Sequence, residues 1–169
     1  PNAAPTLHDG FVYGMTRNGG ASNTGTVFRI RPNGSGFEVL HSFGRYTGDA
    51  AYPVSSLTLD GDTFYGTTNG GGAFGDGTVF RIGTDGAGFQ TLHSFGAFGS
   101  DGKHPIGSVD LEGGVLYGAN RSGGGSDDGT VFRVDTDGSN YTVLHSFSNG
   151  AADGARPMGS VDVQNGVVY

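Results

Sequence analysis

Three histidines, His41, His93 and His145, recur at steps of 52 residues, and Asp49, Asp101 and Asp153 keep the same step. Imidazole and carboxylate are the groups from which metal centres and acid–base sites are assembled. The strict repetition argues against both uses. Equivalent positions on sheets packed face to face lie at least about 10 Å apart. Zinc–nitrogen bonds are about 2 Å long, so the three imidazoles cannot share an ion, and each is expected to bond within its own repeat. The aspartates precede or sit within glycine-containing turns, where a carboxylate commonly accepts from nearby backbone N–H groups. They too are expected to be structural. Arg29, Arg81 and Arg133 repeat at the same step, with stems expected to lie across aromatic neighbours. No metal and no cofactor is expected.

Other chemistry finds little support. The serine of "LHSF" is the sequence neighbour of the repeated histidine, so on a strand the two point to opposite faces and cannot form a nucleophile–base pair. A glycosidase needs two carboxylates roughly 5–9.5 Å apart across one site. Asp110 and Asp162 are candidates, but their equivalents Thr6 and Thr58 are not acidic. The runs "NGGASNTG", "NGGGAFGDG" and "SGGGSDDG" lack the helix and lysine of a phosphate loop. "DTDG" at 135–138 lacks the distal glutamate of an EF-hand. The chain is expected not to be an enzyme, with a propeller-type glycoside hydrolase or lyase as the minor alternative.

The elements that position these residues follow from the repeat. Of 169 residues 35 are glycine, yet 12 Phe and 7 Tyr argue against disorder. The net charge is −7 with nine scattered Lys and Arg, which excludes a nucleic-acid partner. There is no cysteine and no apolar run long enough for a membrane span. "GTVFRI" at 25–30 returns at 77–82 and, as "GTVFRV", at 129–134. Pro1, Pro53, Pro105 and Pro157 coincide, as do Tyr13, Tyr65, Tyr117 and Tyr169. The chain therefore divides into units 1–52, 53–104 and 105–156, with 157–169 repeating the start of a unit as its first strand.

Each unit holds four short apolar runs rich in Val, Ile, Thr, Phe and Tyr, which read as strands. Asn33-Gly34, Asp85-Gly86 and Asp137-Gly138 are expected in hairpin turns between the third and fourth. Four antiparallel strands per repeat and no helix predict an all-β fold, the blades of one β-propeller domain, over a β-solenoid. Blade packing fills both faces of "TVFRI". Val27, Phe28, Ile30, Leu40, Phe43 and their equivalents in the other units should therefore be buried.

"FYGTTNGGGAFGDGTVFRIGTDGAGFQTLHSF", followed by "GSDGKHP", resembles the glycine-rich Gloeo/Verruco (GloVer) tandem repeats of bacterial surface proteins. The likeness spans the chain. It implies a propeller-like, exported protein, secreted or at the cell surface, and carries no defined activity. The first unit departs from it at "GDAAYP", before Pro53.

The long connections, from strand two to three and from four into the next unit, emerge at one end of the sheets. Variable loops on a rigid scaffold are where binding residues gather. Candidates there are Arg17, Asn18, Arg45, Tyr46, Tyr52, Asn69, Phe74, Lys103, His104, Arg121, Asp127 and Arg156. Amide, aromatic and charged groups in this mixture suit a glycan or a protein ligand. The alternative is a structural repeat that builds a ring or filament and takes no small ligand. Three blades do not close around an axis, so other repeats of a longer chain or a second copy are expected to complete the propeller.

Overall fold

The computed structural model describes residues 3–169 and contains strands and turns but no helix among them. Pro1, one of the four repeated prolines, lies outside the described residues. The first sheet runs β1 (Thr6–His8), β2 (Phe11–Thr16), β3 (Thr26–Ile30), β4 (Glu38–Ser42), each strand antiparallel to the next. In the second sheet β5 (Ala50–Pro53) and β6 (Thr58–Asp60) both pair with β7 (Thr63–Gly71), followed by β8 (Thr78–Gly83) and β9 (Gln90–Ser94). The third sheet repeats this with β10 (Gly102–Pro105), β11 (Asp110–Glu112), β12 (Val115–Gly123), β13 (Thr130–Asp135) and β14 (Thr142–Ser146). The innermost position is thus shared by two short pieces, and the sheets remain four strands wide. Residues 157–169 form a hairpin of β15 (Val163–Gln164) and β16 (Val167–Val168). They therefore supply the start of a second strand as well as a first one.

Register explains why the sequence repeats as it does. Gly14, Gly66 and Gly118 lie opposite Phe28, Phe80 and Phe132. A Cβ on those glycines would come within 2.8, 2.7 and 2.5 Å of the facing ring. The "YG" of one strand and the "VF" of its neighbour are therefore a single packing unit. The glycine that opens each "GTVF" has φ of 101–109°. A Cβ there would strike the carbonyl of Thr16, Thr68 or Asn120, and Cδ of the next unit's proline. This is where one sheet meets the next.

The third and fourth strands are joined as expected, with one refinement. Gly34, Gly86 and Gly138 are left-handed, but the preceding Asn33, Asp85 and Asp137 are not, and they use their side chains to accept from the N–H two residues on. A tight turn with two left-handed residues occurs instead between strands one and two, at Asp9-Gly10, Gly113-Gly114 and Asn165-Gly166.

The core is two inter-sheet layers. One joins Tyr13, Met15, Val27 and Phe43 to Leu57, Phe64, Phe80 and Ile82. The other joins Tyr65, Val79, Leu92 and Phe95 to Val109, Leu116, Phe132 and Val134. The expected core is complete only in the middle unit, where Val79, Phe80, Ile82, Leu92 and Phe95 are all buried. In the first unit Phe28, Ile30 and Leu40 are only half-buried, and in the third Val131 and Phe147 are half-buried while Leu144 is 45% exposed. Each outer unit has a sheet on one side only.

Candidate functional site

The repeated His and Asp residues make their contacts in the loops and at the joints between sheets. Asp101 is almost fully buried, and its carboxylate accepts from the backbone N–H of Gly96, Ala97 and Gly102 and from the Tyr141 hydroxyl, with His93 Nε2 at 3.4 Å. Burial alone would raise its pKa; the bonds from His93, Tyr141 and Ala97 outweigh that and hold it below the usual carboxylate value. Tyr141 is pushed well above the ordinary phenol range, by burial first and then by Asp101. Asp153 accepts likewise from Ser148, Gly154 and His145, the last at 3.0 Å. Asp49 binds the N–H groups of Arg45 and Ala50. "GDAAYP" therefore keeps the backbone bonds of its counterparts, despite its different wording, but not the contact to the histidine.

The expectation that each histidine bonds only within its own unit is incomplete. His93 and His145 meet their own aspartates, but His41 Nε2 is buried without a hydrogen-bond partner. His41 stacks on Phe89 of the next sheet at 3.9 Å between ring centroids, and His93 stacks on Tyr141 at 3.6 Å. A flat ring on the last strand covers the next unit's aromatic, a contact that spacing within one unit does not reveal.

Arg29, Arg81 and Arg133 lie directly opposite Tyr13, Tyr65 and Tyr117. Only Arg29 lies over a further aromatic, Phe11 at 4.7 Å, and it pairs with Glu38 at 2.7 Å. The other units hold Thr63 and Val115 in place of Phe11, and Gln90 and Thr142 in place of Glu38, so neither contact can recur.

At the long-loop end five of the twelve binding candidates converge. Asn69, His104, Arg121, Asp127 and Arg156, with Ser122, line a polar groove of about 290 Å³. That is at the small end of ligand clefts, roughly 300–1,000 Å³. Its two flanks carry the same backbone irregularity. Tyr52, His104 and Arg156, each followed by proline, have φ of 59, 55 and 51°. Bulky residues avoid this left-handed region, and where they adopt it the surroundings must hold them there. Here the N–H of each is turned to the carbonyl of Thr24, Asp76 or Asp128, 28 residues back in its own unit and beside the preceding sheet. The side chain then stands at the seam between units beside the residue that ends strand two.

The three seams differ in a way that bears on binding. At the first, Arg17 lies 5.5 Å over the Tyr52 ring. At the second, His104 Nδ1 is 3.0 Å from the Asn69 carbonyl oxygen, and Nε2 is 3.6 Å from Asp76. The third pairs Arg121 with Arg156, both exposed; among the described residues neither has an ion-pair partner within 4.0 Å. Asp127, in the same groove, spends one oxygen on the N–H of Gly123. The remaining candidates stand outside the groove. Asn18 and Arg45 are exposed, Tyr46 is 76% and Phe74 55% exposed, and Lys103 is half-buried with its backbone paired to Ser122.

Two further arrangements sit elsewhere. Asp110 Oδ2 accepts from the N–H of Val163, tying the last hairpin to the third sheet, and Asp162 Oδ2 accepts from the Gln164 side-chain amide two residues on. His8, Asp9 and Asp62 bring ligand atoms within 4.8 Å of one another at the short-turn end. Their carboxylates are 81% and 91% exposed, whereas the His8 side chain is 21% exposed and its Nε2, 3.5 Å from Asp9 and 3.8 Å from Asp62, is buried without a hydrogen-bond partner.

No curated protein matches the chain. Among solved structures it is similar to a chain of a nidogen–laminin complex, with 18% identity and a TM-score of 0.55 over 85% of this chain and 46% of that one. It is also similar to a TolB-like protein of Agrobacterium tumefaciens, with 14% identity and a TM-score of 0.51 over 80% and 45%. The chain thus spans about half the length of either neighbour, and the likeness is one of fold: an all-β repeat module of β-propeller type. The sequence model of the Gloeobacter/Verrucomicrobia repeat matches residues 1–169 throughout, and the chain belongs to that repeat family.

Proposed function

We propose that this chain is a non-catalytic binding module, secreted or at the bacterial cell surface, that holds an acidic glycan in the groove between its second and third units. The observation that carries the reading is the third seam. Two guanidiniums share one small polar groove in a chain whose net charge is −7. Two such cations repel one another, and a carboxylate or sulfate between them relieves this through charge-assisted bonds. Asn69 and His104 add polar groups suited to sugar hydroxyls. The small volume suits one sugar unit of a longer polymer.

The test is calorimetric titration with uronate-containing, sulfated and neutral oligosaccharides. Arg156→Gly is the sharp variant, because glycine accepts a φ of 51° freely and the change deletes the guanidinium without disturbing the backbone. Acidic oligosaccharides should bind in preference to neutral ones, and Arg156→Gly or Arg121→Ala should weaken them about tenfold, or ~1.4 kcal/mol. Equal binding of neutral sugars, or binding untouched by both changes, would overturn the reading.

A further inference from the structure

The repeat keeps His41, His93 and His145 too far apart to share an ion, but His8 stands outside that series. It ends β1, Asp9 opens the left-handed turn that follows, and Asp62 lies in the equivalent turn of the second unit. The first joint between sheets thus gathers an imidazole and two carboxylates at the short-turn end. The later joints do not. At the second the equivalent residues are Asp60, Gly61 and Gly114, and at the last hairpin they are Glu112, Gly113 and Gly166. The packing common to the three units therefore does not account for the triplet.

The His8 ring is set by the inter-sheet core, with its centroid 6.4 Å from that of Tyr13 and 6.5 Å from that of Phe64, both buried. Its Nε2 is nonetheless a buried atom with no hydrogen-bond partner, which is costly unless something completes it. That nitrogen lies 3.5 Å from Asp9 Oδ2 and 3.8 Å from Asp62 Oδ1. These separations exceed the usual N–H···O range. They are close to what a shared ion requires, since bonds of about 2.1 Å at tetrahedral angles hold neighbouring ligand atoms roughly 3.4 Å apart. Asp62 is steadied from behind, its backbone carbonyl accepting from the N–H of Thr84.

We propose that His8, Asp9 and Asp62 bind a divalent transition-metal ion of the zinc type, clamping the first unit to the second. Imidazole with two carboxylates is a nitrogen–oxygen set suited to zinc, whereas calcium takes oxygen ligands throughout. Three protein ligands leave the fourth tetrahedral position to water. The ion gives the orphaned nitrogen its partner and neutralises two carboxylates in a chain of net charge −7. Because it ties a turn of one unit to a turn of the next, it stabilises the folded chain according to its affinity. The site lies at the end opposite the glycan groove and is independent of it.

Titration calorimetry of zinc chloride into the chelator-treated full chain tests this, with thermal melts as a second readout. One ion per chain should bind with a Kd of about 10 μM or tighter, and the melting temperature should climb with zinc concentration. Calcium should bind at least about tenfold more weakly. Asp9→Asn and Asp62→Asn are isosteric changes at exposed turn positions, and asparagine tolerates the left-handed φ of 46° at position 9. Each should weaken zinc about a hundredfold, since even a residue that only supports a metal ligand is worth about 10–100-fold. A parent chain whose melt ignores zinc would overturn the proposal and leave His8 to an ion pair with the two carboxylates. Equal zinc binding by the parent and by the chain carrying both changes would also overturn it, as an adventitious ion only. Equal affinity for calcium would overturn the assignment to a zinc-type ion.

Discussion

At the scale of single residues, His41 carries a pH dependence that its surroundings explain. Its ring stacks on Phe89 and meets Phe43 edge-on, and its Nε2 has no hydrogen-bond partner. Burial lowers its pKa from 6.5; Arg45 adds to the shift and Asp49 opposes it. A histidine whose folded pKa is depressed binds protons more readily in the unfolded chain. Stability is then complete above 6.5 and declines as pH falls from there towards the lower folded value. His41→Phe keeps an aromatic ring against Phe89 and removes the proton. Thermal melts of the variant should lose less stability than the parent just below pH 6.5, and the two curves should run parallel above it. A difference of constant size across the range would mean that the ring packs without titrating. The aspartates act lower down. Asp101 and Asp153 are depressed carboxylates, so their contribution is present above the ordinary carboxylate pKa and disappears as pH falls through the folded values.

At the scale of strands, the cross-strand lock between "YG" and "VF" is the feature most open to direct measurement. Phe80 lies across Gly66, and no rotation of an added methyl group avoids a ring atom 2.7 Å from the Cβ position. Gly66→Ala should therefore destabilise the chain by overpacking, about 1–3 kcal/mol in denaturant melts. Pairing it with Phe80→Leu should recover part of that loss, because the smaller side chain vacates the space; two losses that simply add would mean that the ring is not the obstacle. The strands, the hairpins and the long-loop end were legible in the sequence because each depends on local chemistry repeated in register. The seam was only half legible. Its residues were among the candidates, but nothing in "YP", "HP" or "RP" announces a left-handed residue before proline, since steric preference argues against one. That conformation comes from the N–H bond across to the loop of the preceding sheet, a contact between residues 28 positions apart in the chain. The stacked His–aromatic joint was hidden for the same reason. Position within a unit shows what a residue's neighbours are, and not what lies on the next sheet.

At the scale of the whole molecule, the three units share the same core motifs and have unequal surroundings, so the same substitution should cost different amounts along the chain. Phe80 and Phe132 are fully buried, each lying on the face that meets the preceding unit, at Phe43 and Phe95 respectively. Phe28 has the same strand position, but among the described residues no further sheet packs on that face, and it is half-buried beside the exposed Phe37. In stacked repeat architectures stability is close to a sum of intrinsic unit terms and nearest-neighbour interface terms. Phe80→Ala and Phe132→Ala remove an intrinsic and an interface contribution together, and each should cost about 3–5 kcal/mol, as for a fully packed ring. Phe28→Ala removes mainly the intrinsic one and should cost less than half as much by the same measure. Equilibrium denaturation of the three variants checks this. The Phe28 variant should be the mildest of the three. Three equal costs in a monomer would show that the repeat stabilises itself strand by strand, and that the layers between sheets add little.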